Sequence, residues 1–386
     1  MREKNNIYKK FQSFDNFKNI SNFNISNIKE KIFKTYEEFK PKFSSYFNSK
    51  DLDVLERIIL DLKSSINVET NFSLKPNSIA EINTFENIDV LKYLISRYKY
   101  EIYPLVKKLD DYPPLVQIEP SSICNFRCVF CFETDKSFTN KKNGFMGTMD
   151  LEIFKKIVDE IEGNVDFVTL ASRGEPLVAK SFSKMLEYSS EKFLVLKINT
   201  NASLLTEDKC HAILSSGVKT VVFSADAADE KLYSKLRVNG DLKKTLANIR
   251  MFKKIKDNNY KTSKIITRVS GVKFNNEQNF SEMENLWGEL VDQVAFVDYN
   301  PWENCYEKEK NNIQEACSDL WRRIFIWWDG KINPCDVDYK SHLSPGKFPE
   351  ISIKDSWNSN LYNKIRNHHL NKKRDNFTPC KACSVI

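Results

Sequence analysis

Three cysteines on one short loop constrain this 386-residue chain more than any other feature of its sequence. Cys124, Cys128 and Cys131 have the spacing C-x3-C-x2-C and follow directly on the apolar segment 115–118. The chain holds nine cysteines, and composition alone gives such a triplet in roughly one chain in two hundred. Three thiolates on one loop can hold three corners of a cubic iron-sulfur cluster and leave the fourth iron without a protein ligand. The spacing therefore predicts a metal site with one open, reactive position.

This triad resembles the cluster-binding motif of the radical SAM superfamily. In that family the open iron of a four-iron cluster chelates S-adenosylmethionine, so the resemblance implies reductive cleavage to a 5'-deoxyadenosyl radical. Phe130, directly before the last cysteine, matches the family's aromatic position and is expected at the cofactor, with a loop-anchoring role as the alternative. For the triad itself the alternatives are structural zinc and an inert, buried cysteine group, and zinc lacks a fourth ligand nearby in sequence.

Hydrophobic periodicity along the chain agrees with the barrel that this family uses. Six apolar segments rich in β-branched residues alternate with amphipathic patterns of helical period. The six segments are 115–118, 165–170, 193–198, 220–223, 265–269 and 294–297. Strands that alternate with helices favour a parallel sheet, and we predict an α/β fold with a partial (β/α)6 TIM barrel. Binding groups are then expected just beyond the carboxyl ends of the strands, where the triad lies.

A turn after the second segment resembles the family's GGEP motif, whose backbone and acid hold the methionine amino group. Gly174, Glu175 and Pro176 match the motif, so the resemblance implies a cofactor-binding role for these three residues. Arg173 replaces the first glycine and is expected to point towards the substrate. By itself Gly-Glu-Pro is a common structural turn, but its position after a strand favours the functional interpretation.

Loops after later strands also resemble segments that face the cofactor in this family. The cofactor-binding residues that the resemblance implies are Asn199, Asn201, Ser224 and Arg237. Ala202 stands where the family has a glycine in its ribose-facing TNG segment. Asp226 is expected to face the nucleoside and the substrate, as a candidate proton acceptor. For Arg237, expected near the methionine carboxylate, a solvated arginine at a helix end is the alternative.

A second cysteine pattern lies beyond the predicted barrel, with the ligands Cys317, Cys335, Cys380 and Cys383. Four thiolates saturate one metal or cluster, so this site is expected to be closed. Residues 321–332 predict a hairpin, because two apolar strands flank an Asp-Gly turn. The pattern resembles the SPASM or twitch extension of radical SAM enzymes, in the four-cysteine form with one auxiliary four-iron cluster. Zinc is the alternative, since spacing alone does not separate it from iron-sulfur ligation.

The two remaining cysteines and two acidic residues have different predicted roles. Cys210 lies in a capped amphipathic helix and is expected in the core. Cys305 follows the sixth strand at the catalytic rim, where a hydrogen-atom donor or an extra ligand is useful. Asp298 and Glu303 flank the same rim and are candidate proton acceptors, although solvated loop acids are the commoner case.

Charge and hydropathy exclude several classes of protein. The net charge is +7, from 59 basic and 52 acidic residues, which is mild for this length. Residues 1–50 hold eight phenylalanines, which favours packed or partner-binding helices over a nucleic-acid tail, and we expect no nucleic-acid partner. The sequence contains no apolar run of the length that would indicate a signal peptide or a membrane span. Grouped cysteines indicate a reducing compartment, so a cytoplasmic protein is expected.

The sequence divides into three predicted parts: a helical region at 1–114, the barrel at 115–300 and a small cluster-binding domain with a β-hairpin at 301–386. The first part has three candidate roles, as a barrel cap, a dimerisation element or a carrier-recognition element. The predicted enzyme is a radical SAM oxidoreductase with two 4Fe-4S clusters, S-adenosylmethionine and an electron donor of flavodoxin or ferredoxin type. Since the enzymes that it resembles include dehydrogenases of amino-sugar or cyclitol alcohols, the leading hypothesis is dehydrogenation of a small sugar-like substrate. Maturation of a ribosomally made peptide, epimerisation, and a non-catalytic iron-sulfur or zinc protein are the alternatives.

Overall fold

The computed structural model describes residues 7–9, 17–64, 68–300 and 305–386. Its helices are α1 (Ile25–Phe39), α2 (Ser49–Lys63), α3 (Pro76–Thr84), α4 (Ile88–Glu101), α5 (Tyr103–Val106), α6 (Lys136–Thr139), α7 (Leu151–Ile161), α8 (Phe182–Ser189), α9 (Glu207–Ser215), α10 (Glu230–Leu236), α11 (Leu242–Asn259), α12 (Phe280–Gly288), α13 (Ile353–Trp357) and α14 (Asn360–Leu370). Its strands are β1 (Phe17–Asn19), β2 (Leu115–Ile118), β3 (Arg127–Cys128), β4 (Phe167–Leu170), β5 (Val195–Thr200), β6 (Thr220–Ser224), β7 (Arg237–Val238), β8 (Ile266–Lys273), β9 (Gln293–Asp298), β10 (Arg323–Ile326) and β11 (Ile332–Asn333). Within these residues no helix combines the length and the apolar character needed to cross a membrane.

One curved sheet organises the described part of the chain, in the strand order β1-β9-β8-β6-β5-β4-β2-β10-β11. The strands from β9 to β10 in this order are all parallel to their neighbours. The six predicted segments correspond to β2, β4, β5, β6, β8 and β9. Helices follow most of these strands and cover the outer face of the sheet, so the predicted α/β fold with a partial barrel is confirmed.

The predicted C-terminal hairpin forms, but it continues the barrel sheet instead of standing apart from it. β10 and β11 pair antiparallel, and Gly330 in the turn between them has the positive φ of 86° that favours glycine. β10 also runs parallel to β2, with Ile326 in register with Ile118. The sequence does not indicate this pairing, because nothing in the hairpin specifies which open strand edge it joins.

The N-terminal helices close the barrel at the amino ends of its strands. Phe167 and Val195, the first residues of β4 and β5, belong to the same hydrophobic cluster as the apolar faces of α1 to α4. The ring of Tyr93 on α4 lies 5.7 Å from the ring of Phe167. These helices therefore pack on the end of the barrel opposite the triad, as a cap does, and the three roles considered for this region stay predictions.

Candidate active site

The three cysteines of the triad lie on the loop after β2, at the carboxyl ends of the barrel strands. Cys128 belongs to the short strand β3, which pairs antiparallel with β7 and so places Cys128 opposite Arg237. The N–H of Cys131 donates to the carbonyl of Cys128 at 3.0 Å and closes a tight turn between the two ligands. All three cysteines, including Cys124, are half-buried.

The surroundings of the triad fit a metal cluster. The N–H of Phe126 donates to Sγ of Cys124 at 3.4 Å, and Nη1 of Arg237 lies 3.9 Å from Sγ of Cys128. Hydrogens directed at ligand sulfurs hold and tune iron-sulfur clusters. Burial raises the pKa of Cys124 to about 12, so this thiol is protonated at neutral pH unless a metal replaces its proton. The loop therefore offers three ligands and leaves one position of a four-iron cluster to the cofactor.

The turn Gly174-Glu175-Pro176 packs directly on the chain just before the triad. A Cβ atom on Gly174 would lie 2.5 Å from the carbonyl carbon of Ser122, so this close approach requires glycine. The N–H of Glu175 donates to the carbonyl of Ile123 at 3.0 Å. These contacts hold the turn against the cluster loop, where a cofactor-binding role requires it.

The carboxylate of Glu175 is buried and shared among neighbouring donors. Its Oε1 accepts from the hydroxyl of Thr200 at 2.6 Å and from the N–H of Leu177 at 3.1 Å. Its Oε2 accepts from the N–H of Asn201 at 2.7 Å. Burial raises the pKa of Glu175, and these hydrogen bonds oppose the rise. A carboxylate has about four lone-pair sites, so one is left for an ammonium donor of the cofactor.

Arg173 does not point towards substrate, and the prediction is corrected by its contacts. Its guanidinium is 3% exposed and binds Glu119 through Nε to Oε2 at 2.8 Å and Nη2 to Oε1 at 2.6 Å. Nη1 donates to the carbonyl of Tyr339 at 2.8 Å, and the guanidinium carbon lies 4.2 Å from the ring centre of Trp327. Glu119 is absent from the predicted site residues, although a carboxylate directly after an apolar strand is a usable signal. Arg173 fastens the barrel loop to the C-terminal region.

The loop after β5 also lies against the triad. The side-chain amide of Asn201 lies 4.0 Å from Sγ of Cys124 and donates to Oδ1 of Asn125 at 3.0 Å. Ala202, at the family's glycine position, has a φ of 61°, in the left-handed region that glycine adopts most easily. Asn199 has its Oδ1 buried without a hydrogen-bond partner in the described part of the chain. Such an orphaned acceptor suits a donor from a bound molecule.

Phe130 and Ser224 lie at other points around the carboxyl ends of the strands. The ring of Phe130 is 8% exposed and lies 5.5 Å from the ring of Phe274, which follows β8. This contact agrees with a loop-anchoring role, and the cofactor contact of Phe130 stays a prediction. Ser224 is the last residue of β6 and is partly exposed, as a side chain that faces a ligand must be.

Asp226 and Arg237 form a buried ion pair beside the triad. Nε of Arg237 lies 2.6 Å from Oδ2 of Asp226, and the N–H of Val272 donates to Oδ1 at 2.6 Å. Arg237 is only 6% exposed, so the solvated helix-end alternative is wrong. Because the ion pair also directs Arg237 towards Cys128, it favours a positioning role for Asp226 over the predicted role as proton acceptor.

The candidates on the barrel rim have different surroundings. Asp298 ends β9, is exposed, and lies 3.3 Å from Nζ of Lys273. Glu303 lies outside the described residues. Cys305 is fully buried, and its thiol lies beside that of Cys383, which raises the pKa of Cys305. The structure therefore places Cys305 beside a predicted auxiliary ligand, which fits a role at that site better than a role as hydrogen-atom donor.

The four C-terminal cysteines come from three segments that fold together near the buried Arg374. These are Cys317 before β10, Cys335 after β11, and Cys380 with Cys383 in the final turn. Nη2 of Arg374 donates to the carbonyl of Cys383 at 3.1 Å. Burial raises the pKa of Cys317 to about 11, and the charge of Arg374 opposes the rise. A buried cation beside three of these thiols fits a bound group that carries thiolate charge. The cysteine pattern contains no signal for Arg374.

Comparison with known proteins agrees with this geometry. Residues 118–286 match the family model of the radical SAM superfamily, and residues 317–384 match SPASM, an iron-sulfur cluster-binding domain. A tungsten-containing aldehyde ferredoxin oxidoreductase cofactor-modifying protein of Pyrococcus furiosus is 32% identical over 28% of this chain and 30% of its own length. The AdoMet-dependent heme synthase of Methanosarcina barkeri is 26% identical over 62% of this chain and 64% of its own length. The chain thus spans less than two thirds of either relative.

Among solved structures, Streptococcus suis SuiB bound to the precursor peptide SuiA has a similar fold. The TM-score is 0.55, with 17% identity over 88% of this chain and 83% of that chain. Together, the two family matches show a barrel that binds a 4Fe-4S cluster and S-adenosylmethionine, followed by a domain for auxiliary iron-sulfur ligation. The zinc alternatives are therefore set aside.

Proposed function

We propose that this radical SAM enzyme with a SPASM-type C-terminal domain oxidises a small polar substrate inside its barrel. The cluster and S-adenosylmethionine together supply the radical that takes a hydrogen atom from a substrate carbon. The observation that carries the proposal is the place of β10, which leads from the first C-terminal cysteine and pairs directly with β2, the strand that leads to the triad. A one-electron acceptor in the C-terminal domain would thus be attached to the barrel itself, as an oxidation requires.

The chain's own residues have distinct parts in this proposal. Glu175 accepts a hydrogen bond from the methionine ammonium group, because its buried carboxylate has one lone-pair site left. Asn201 and Asn199 offer amide groups along the inner face of β5. Arg237, held by Asp226, neutralises part of the thiolate charge at Cys128. Each of these parts depends on a loop at the carboxyl end of a barrel strand.

Oxidation of an alcohol carbon to a carbonyl removes one hydrogen atom, one proton and one electron. Asp298 and Glu303 stay the proposed proton acceptors, because the carboxylate of Asp226 is occupied by Arg237. Arg173, held by Glu119, donates to the carbonyl of Tyr339 and so holds the barrel loop on the C-terminal region, which would keep the electron acceptor in a fixed position. An external donor of flavodoxin or ferredoxin type would reduce the barrel cluster before each turnover.

Modification of a peptide is the second candidate function. SuiB, whose structure contains a bound precursor peptide, shares the fold over most of this chain. The N-terminal region nevertheless packs as a helical cap on the barrel, and the one strand described in that region, β1, pairs with β9 instead of forming a separate peptide-binding sheet. We therefore rank the small substrate first.

Mass spectrometry with deuterated substrates tests the proposal. The anaerobically reconstituted, dithionite-reduced protein should first release 5'-deoxyadenosine from S-adenosylmethionine without substrate. A series of C-deuterated amino sugars and cyclitols should then give 5'-deoxyadenosine that carries deuterium, with a product oxidised by two electrons. A product of unchanged oxidation state would support epimerisation, and transfer from a C-deuterated peptide alone would support maturation. No cleavage at all would revive a non-catalytic iron-sulfur protein.

A further inference from the structure

Alternating residues of the barrel strands face the interior of the barrel. Leu196 and Ile198 of β5 belong to the hydrophobic core that includes the apolar faces of the outer helices. Because successive side chains of a strand point to opposite faces, Lys197 between them points into the barrel. Lys197 and Asn199 retain partial exposure, whereas the residues that flank them are buried. The interior around Lys197 therefore has space for a small molecule or for water.

The side chains that line this space are polar and lack protein partners. The partly exposed ones are Gln117, Lys197, Asn199 and Ser224, and none of these has a hydrogen bond to another side chain or to the backbone in the part of the chain that the structure describes. Thr220 is 0% exposed, and its buried Oγ1 is without a partner, as is Oδ1 of Asn199. In register, Thr220 is the neighbour of Lys197 on β6. Polar groups inside a protein normally have partners, so the partly exposed members of this set can bind a ligand.

Lys197 is a cation without a carboxylate of its own. Three arginines near it have acceptors of their own: Arg268 binds Gln293 at 2.8 Å, Arg323 binds Asp319 at 3.1 Å, and Arg97 binds Glu101. Among the described residues, no carboxylate lies within salt-bridge distance of Nζ of Lys197, and Glu81 acts on it only at longer range.

This environment favours an anionic ligand. Burial, together with the charges of Arg268, Arg323 and Arg97, lowers the pKa of Lys197 to about 7, while Glu81 opposes the fall. An anion bound to Nζ would raise the pKa again, because it stabilises the charged amine. Binding should therefore strengthen as the pH falls from above 8 towards 7, where the amine is increasingly protonated.

The distance between Lys197 and the triad gives the length of a molecule that could extend from one to the other inside the barrel. Asn201, which contacts Sγ of Cys124, lies four residues further along the chain than Lys197. At a rise of roughly 3.3 Å per residue, its Cα is about 13 Å from that of Lys197 along the strand direction. A molecule that reacts near the cluster can thus reach Lys197 with its far end.

We propose that Lys197 binds an anionic group of the substrate, a carboxylate or a phosphate, inside the barrel on the side of the amino ends of its strands. The neutral polar side chains around it would bind the uncharged part of the same molecule. The inference rests on the proposed function, since it assigns the substrate of that reaction to the barrel interior, and it narrows the substrate to a small polar anion.

Calorimetric titration of the reconstituted protein, with and without S-adenosylmethionine, tests this assignment. The probes are inorganic phosphate, glucose 6-phosphate and gluconate, with glucose as the neutral control. We expect at least one anion to bind at least tenfold more tightly than glucose, and Lys197→Met to remove that preference. Lys197→Arg, which keeps the charge, should retain most of it, and Lys156→Met, on the exposed face of α7, should have no effect.

The different probes and variants distinguish the possible results of this experiment. Binding of phosphates alone or of gluconate alone identifies the anionic group. Equal binding by wild type and Lys197→Met, or no preference for any anion over glucose in the wild type, would overturn the assignment. Failure of the wild type to cleave S-adenosylmethionine would instead contradict the proposed function, because that cleavage is measured without any substrate anion. Lys197 makes no hydrogen bond within the described part of the chain, so its replacement by methionine removes none and the variant is expected to fold.

Discussion

The two cysteine sites of this chain differ in how their ligands are gathered. The triad comes from one loop, between residues 124 and 131, and its cysteines are half-buried. The other four cysteines come from three segments between residues 317 and 383, and Cys317, Cys380 and Cys383 are at most 8% exposed. An accessible site with three ligands suits reaction with a cofactor, whereas a buried site with four suits electron transfer. The two sites are thus built in the different ways that the proposed division between radical chemistry and electron transfer requires.

Each of the two cysteine sites has a buried arginine beside it, and the two arginines contact different groups. Arg237 directs Nη1 at the sulfur of Cys128, and Asp226 holds it there. Arg374 binds backbone carbonyls instead, including that of Cys383. The first arginine acts on a ligand atom, and the second stabilises the fold of the segment that carries the ligands.

Removal of the triad should have the largest effect. Replacing Cys124, Cys128 and Cys131 together by alanine should abolish release of 5'-deoxyadenosine and lower the iron content by about four atoms, because one cubic cluster is lost. Iron analysis and chromatography of the nucleoside measure both results. Cys210→Ala, at a buried cysteine outside both sites, is the control and should keep both. Residual cleavage in the triple variant would show that the reactive cluster has other ligands.

Loss of the closing pair at the other site should separate the two functions. Cys380→Ala with Cys383→Ala should lower the iron content by about four atoms and abolish product formation, while cleavage of S-adenosylmethionine without substrate continues. The reason is that the triad keeps all of its own ligands. The same iron and nucleoside measurements apply, and a full iron complement in this variant would exclude the pair as ligands.

Arg173 connects the two regions, so its replacement should weaken both. Arg173→Met leaves the carboxylate of Glu119 buried and unpaired, which should lower the free energy of unfolding by about 3–5 kcal/mol. Anaerobic denaturant unfolding measures the loss. The double variant Arg173→Met with Glu119→Gln is the matched control and should recover much of the stability, since it removes the unpaired charge. Equal stability of the wild type and Arg173→Met would mean that the buried ion pair makes no net contribution to the free energy of unfolding.

Glu175 gives the smallest expected effect. Glu175→Ala should cost about 1.5–3 kcal/mol of cofactor binding, the usual strength of a hydrogen bond to a charged group. The dissociation constant of S-adenosylmethionine should therefore rise roughly tenfold or more. Thr200→Val removes one donor to Glu175 but keeps the carboxylate, so it should change the constant by less. An unchanged constant in Glu175→Ala would make the Gly-Glu-Pro segment an ordinary turn.

Local patterns made much of this fold predictable. Each barrel strand has apolar, β-branched residues in a short segment, and the triad is contiguous, so periodicity and spacing suffice for both. The Gly-Glu-Pro turn could be placed against the triad because it follows a strand, and the carboxyl ends of parallel strands meet at one end of a barrel.

Long-range pairing accounts for what could not be predicted. The partner of Arg173 is 54 residues away, and the side chain itself does not indicate whether it faces a ligand or another charge. The association of Cys305 with Cys383 likewise depends on the folding of the final segment. Lys197 does have a local signal, a single lysine within an apolar strand, but its direction becomes meaningful only when the neighbours of both faces are known.

The pairing of β10 with β2 has a consequence for how such chains are divided and recombined. A fragment that ends near residue 300 would keep the whole triad but leave β2 as an open edge, with unpaired backbone groups that invite association with other chains. The barrel and the C-terminal region are therefore not independent domains that can be exchanged separately. A C-terminal domain from another protein would fit this barrel only if it supplied a strand that pairs with the open edge of β2. Recombination of such domains is therefore restricted to those that carry a matching strand.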